Sequence, residues 1–199
     1  MASQVEIANR ALIKVGDKRI LSMTDDLEPA RVLSGMWDTV RDAELRVRNW
    51  NFSITRASLA ALVSTPDWGY DNQYQLPADC LRPIQIDEYF YGPSMSDYRN
   101  GSEAAYQIEG SLILTNLDAP LKIRYISRIE DTGAWDAAFT EAFACRLAVE
   151  SCEKLTQSNS KKDALKQEYA DAIRMAVRAD AIENPNEPLP DNSWVLSRL

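Results

Sequence analysis

The sequence predicts an α+β fold: an antiparallel helical bundle, two helices from each end of the chain, around a central antiparallel β insert, with an extended C-terminal arm. Three observations predict it. Apolar residues recur at three-four spacing near both ends, alternate singly through the middle, and give way to a proline-rich run after residue 182. One domain over 1–182 follows, with helices within 4–50 and 132–182 and the β insert over 51–131; the arm is 183–199.

The first helix is expected over 4–15. Ser3 and Glu6 make an S-x-x-E capping box, and Val5, Ala8, Leu12 and Val15 form its stripe. Gly16 suits the left-handed stop. A second helix is expected over 29–49, with Pro29 in its first turn and a stripe of Leu33, Met36, Val40, Ala43 and Val47 leading to Trp50. Gly35 inside it costs about 1 kcal/mol relative to Ala, which suggests a close approach there.

The middle alternates. Phe52 and Ile54 share one face of a strand over 51–59; Tyr70, Tyr74 and Leu76 follow, and Pro77 and Pro83 bracket a turn-like segment over 78–82. Ile84 and Ile86 lead into Tyr89, Phe90 and Tyr91, and residues 92–102 read as a loop. A hairpin turns around Glu109 and Gly110, and a last strand carries Leu121, Ile123 and Tyr125 on one side, ending at Ser127. A third helix is expected over 135–155, with the small-sided stripe Ala138, Ala142, Cys145, Val149 and Cys152, widened by Phe139, Phe143 and Leu147. Helix packing accounts for that stripe better than a cofactor pocket does. The fourth, over 161–182 and capped by Ser160, presents Leu165, Tyr169, Ala172, Ile173, Ala176 and Val177. The short connection makes the last two helices antiparallel.

Composition narrows the chemistry. The 199 residues include no histidine, so Ser-His-Asp and Cys-His pairs and Cys/His zinc sites cannot be built from this chain. Neither GxxxxGK[ST] nor GxGxxG occurs. No cofactor and no metal is expected. With 30 acidic and 22 basic residues the net charge is −8, which disfavours sequence-specific binding to phosphate backbones. Arg41, Arg46 and Arg48 read as a solvated helix face. Cys145 and Cys152 are about 10 Å apart along a helix, too far for a disulfide, so these and Cys80 read as thiols of a reduced cytoplasm. No run approaches the ~20 apolar residues of a membrane span, and no signal peptide is visible. A carboxylate-pair hydrolase needs two acids across a cleft; Asp25-Asp26, Asp87-Glu88 and Glu130-Asp131 are adjacent acids, each at an element end where acids cap or stay solvated.

Several strings resemble the tail tubular protein A family, the head-to-tail adaptors of short-tailed phages. They are Arg48-Asn49-Trp50-Asn51-Phe52, Tyr74-Gln75-Leu76-Pro77-Ala78-Asp79-Cys80-Leu81-Arg82, Tyr106-Gln107-Ile108-Glu109-Gly110, Ile113-Leu114-Thr115-Asn116, Ile123-Arg124-Tyr125, and Trp135-Asp136 with Phe139. Their order and spacing, over about residues 5–182, carry the resemblance. Within them, Trp50 and Phe52 should lock helix to sheet, and Asp79 should cap a turn that points Leu81 inward.

The resemblance implies a non-enzymatic virion tail protein made in the host cytoplasm. It implies a ring of identical subunits, about twelve, joining the portal protein to the tail nozzle protein while double-stranded DNA passes through on ejection. The arm, with Pro185, Pro188 and Pro190, reads as an extended device whose Trp194, Val195, Leu196 and Leu199 dock on the portal or a neighbouring subunit. Tyr89, Phe90 and Tyr91 are the expected contacts for another tail component. The competing expectation is a tail-associated carboxylate hydrolase acting on cell-wall glycan, with no membrane contact in either case.

Overall fold

Ser3 starts the first helix as expected: its hydroxyl accepts from the Glu6 amide while the Glu6 carboxylate accepts from the Ser3 amide. Helix α1 (Gln4–Val15) ends at Gly16, whose φ of 90° lets its amide return to Leu12 and Ile13 carbonyls. The computed structural model describes residues 2–87, 89–90 and 106–183. After α2 (Glu28–Val47) come strands β1 (Ile54–Leu59), β2 (Asn72–Gln75), β3 (Cys80–Ile86), β4 (Tyr89–Phe90), β5 (Tyr106–Glu109), β6 (Leu112–Thr115) and β7 (Leu121–Ser127). Helices α3 (Ala137–Thr156) and α4 (Asn159–Glu183) complete the described chain. The fold is α+β, with the β insert between two helical pairs.

Helix α3 is the axis of the bundle. Helices α1, α2 and α4 all pack on it, so it is buried on nearly every side, from Phe139 and Thr140 to Ser151 and Cys152. Its small residues, Ala142, Ala144, Cys145 and Ala148, let three neighbours approach at once. At its start an aromatic cluster closes the core. Trp135 lies 5.3 Å from Phe139 and 5.0 Å from Phe143, and Trp37 meets Phe143 edge-on at 5.1 Å.

The insert folds as two sheets, ordered β1-β7-β3-β4 and β2-β6-β5. Between them lies a second, smaller core of Tyr74, Ile86, Ile113, Leu121, Ile123 and Tyr125. The larger sheet turns its other face partly to the bundle, where Ile54, Ile84 and Ile126 join the helical core. Trp50 and Phe52 lock the seam as expected: both rings lie 5.0 Å from Phe139, and the Trp50 indole donates to the Glu44 carbonyl.

Several expectations need correction. The α2 stripe is Ala30, Leu33, Trp37, Arg41, Glu44 and Leu45, while Ala43 and Val47 are exposed. Two buried charged residues on the inner face disguised the periodicity. Gly35 is exposed with open space where a Cβ would lie, so no close approach explains it. The chain after Trp50 makes a 3-10 turn, Asn51–Ser53, and β1 starts only at Ile54. Pro83 lies within β3; a bulge beside it and the short reach of β4, which pairs only at Gln85 and Ile86, excuse its missing amide. Ser158, not Ser160, caps α4: its hydroxyl accepts from the Lys161 amide. Asp79 caps no turn. Its carboxylate accepts the Tyr125 hydroxyl across the sheet, though Leu81 does pack inward on the bundle.

Candidate interaction surfaces and polar clusters

Trp194, Val195, Leu196, Leu199 and Tyr91 lie outside the described residues, as does the loop over 92–102. Tyr89 and Phe90 are described by backbone alone: they form β4, paired with Ile86 and Gln85, on the edge of the larger sheet.

Three of the adjacent acids have structural partners. Asp25 accepts from the Leu21 and Ser22 amides, Asp26 pairs with Arg31 at 3.1 Å, and Asp131 accepts from the Gly133 amide. Asp87 sits in the β3–β4 turn with φ 50°, and Glu88 lies outside the described residues.

The buried charges form two networks at helix junctions. Arg41, expected on a solvated face, is 6 % exposed and holds Asp38 and Asp42, each at 2.9 Å; Asp42 also takes Arg128 from beyond β7. Glu44 accepts the Tyr169 hydroxyl at 2.9 and 3.0 Å, and Arg146 stands 3.5 Å from it, its guanidinium over the Tyr169 ring. Burial raises the Glu44 carboxyl above its ordinary value; the Tyr169 hydroxyl and Arg146 oppose that only in part. The Glu44 network joins α2, α3 and α4, and the Arg41 network ties α2 to the segment after β7.

Glu141, Cys145 and Glu168 bring three potential metal-ligand atoms together, with the thiol buried. The Lys14 ammonium occupies this cluster, 2.8 Å from Glu141 and also donating to Glu168. Burial disfavours its charge, but the two carboxylates outweigh that and raise it above the usual lysine range. Burial likewise pushes the Cys145 thiol up. The cluster is a lysine-filled clasp between α1, α3 and α4.

Two surfaces remain. One is the β1–β2 connection, which exposes Leu62, Val63 and Trp68, the last at 86 %. The other is the open end of the larger sheet's bundle-side face. There Arg56 lies directly opposite Arg124, and Lys122 stands two residues along β7. Among the described residues none of the three makes an ion pair, and the Arg124 Nε is buried without an acceptor.

Sequence reading passed over both surfaces. Single alternation in Leu121-Lys122-Ile123-Arg124-Tyr125 was the available signal for the second. Compared with known protein families and with curated proteins, the chain has no match. Among the described residues no helix is long and apolar enough to cross a membrane.

Proposed function

We propose that this chain is a structural ring subunit, a head-to-tail adaptor that joins a phage portal to the tail nozzle and lines the DNA passage. The reading rests on the resemblance, and one observation carries it furthest. Three of the resembling strings, those holding Trp50 and Phe52, Leu81 and Arg82, and Trp135 and Phe139, meet at the seam where bundle and β lobe are tied together. Trp50 and Phe52 meet Phe139 there, and the chain around Arg82 is bonded back to the end of α2: its guanidinium donates to the Arg46 carbonyl at 3.0 Å, while Arg46 donates to Leu81. Asn51 is held to α4 by two bonds to Asp180, each 2.8 Å. A rigid seam of this kind suits a subunit that must transmit load between two neighbours rather than open around a substrate.

In this reading Trp194, Val195, Leu196 and Leu199 anchor the arm on the portal or an adjacent subunit, and the segment from Tyr89 to Tyr91 meets another tail component. Burying each arm side chain is worth about 1.5–3 kcal/mol before ordering costs, and repetition around a ring multiplies the grip. The test is co-sedimentation with a phage portal protein. The full chain should sediment with portal rings. A chain cut after Asn192, which lacks Trp194 to Leu199, should melt within about 2 °C of the full chain yet stay in the supernatant. Equal sedimentation of both would remove the arm from the joint, and no sedimentation of either would remove the adaptor reading.

A further inference from the structure

The open sheet face carries an unusual burden. Arg56 and Arg124 are cross-strand neighbours, a placement that destabilises an antiparallel pair when charges are alike. Lys122, about 7 Å along the strand from Arg124, adds a third cation. Two depressions run across this face. One, about 660 Å³, is lined by Arg56, Ser58, Gln85, Asp87, Lys122 and Arg124. The other is lined by Asn51, Ile54, Arg56, Arg124 and Glu183. They share both arginines, so together they form one trough, with Asp87 at one end and Glu183 at the other. Glu183 is the last residue of α4. Helix α4 therefore ends at this trough.

The chain after α4 is complementary in charge and shape. Residues 183–192 read ENPNEPLPDN: three carboxylates, Glu183, Glu187 and Asp191, and no basic residue. Three prolines hold such a segment extended, so acids four residues apart stand about 12 Å from each other. Covalent attachment sets a local concentration that a free anion or an external acidic peptide does not match, and the net charge of −8 repels such anions further.

The geometry points to one occupant: the acidic half of the chain's own arm, residues 184–191, lies in the trough, with Glu187 and Asp191 answering Arg56, Lys122 and Arg124. This deepens the adaptor reading, because it fixes the direction in which Trp194 to Leu199 would project toward a partner. The contact itself does not require a portal, so the two readings fail separately.

The experiment follows the Arg124 Nε–H by nuclear magnetic resonance in the full chain. Its exchange with solvent should be at least about tenfold slower in the unsubstituted chain than in the double variant E187Q/D191N. The same double variant should shift backbone amides of residues 56–58 and 122–124 and leave those of α3 in place. D97N/E103Q, which neutralises acids of segment 91–105, should change neither reading. The proposal is overturned if E187Q/D191N leaves the Nε–H and these amides unmoved, or if D97N/E103Q releases them instead. It is overturned as well if protection disappears on dilution, which would give the trough to the arm of a second copy.

Discussion

The helical bundle and the β lobe solve the same packing problem with different margins. The bundle wraps three helices around α3 and closes with six aromatic rings, Trp37, Trp50, Phe52, Trp135, Phe139 and Phe143. Its buried charges at Arg41 and Glu44 are paired. The lobe's core is a cluster of six buried residues between two small sheets, too few for independent stability, and the lobe leaves three cations unpaired among the described residues. The bundle is thus the scaffold, and the lobe borrows its stability through the seam at Trp50, Phe52 and Phe139.

The sharpest way to break this comparison is Phe139→Ala. It removes the ring that both Trp50 and Phe52 touch, and should cost about 3–5 kcal/mol in denaturant unfolding. Bundle and lobe probes should lose structure in a single transition. If lobe signals persist after the bundle melts, the lobe stands alone and the comparison is wrong.

A middle-sized effect is expected at Glu44. Its carboxyl is raised from the ordinary 4.5, chiefly by burial, so just above 4.5 the folded chain holds a proton that the unfolded chain has released. The associated stability is full below the unfolded value and is lost as pH rises through the folded one. Glu44→Gln should therefore remove a downward slope in stability that begins as pH rises above about 4.5. Tyr169→Phe, which deletes a hydroxyl bonded to this buried carboxylate, should destabilise by about 1–3 kcal/mol and steepen the slope. Unchanged pH profiles in both variants would show that the network carries no charge penalty.

The smallest effect belongs to the lobe. Tyr125→Phe removes the bond from β7 to Asp79 and should cost about 0.5–1.5 kcal/mol, read as a shift in denaturant midpoint at constant m-value. A loss as large as that of Phe139→Ala would make the lobe, not the bundle, the keystone.

The same contrast explains what the sequence revealed. Helix α1 was legible to the residue because its capping box and Gly16 are local signals. The α2 stripe is hard to read because Arg41 and Glu44 face inward: Arg41 is held by its neighbours Asp38 and Asp42, but Glu44 is held by Arg146 and Tyr169 from α3 and α4. Pro83 inside β3 was unreadable because the relief comes from the neighbouring strand. The basic trough was hidden for a similar reason: Arg56 and Arg124 are 68 positions apart and meet only through strand pairing.

The central claim is that this chain works as an adaptor ring on a portal. Electron microscopy of the purified chain mixed with portal rings tests it most directly. The account predicts a closed ring of copies stacked coaxially on one end of the portal, with density for the arm reaching a neighbour. Portals that remain bare beside free single subunits, at concentrations where the chain is folded, would contradict it.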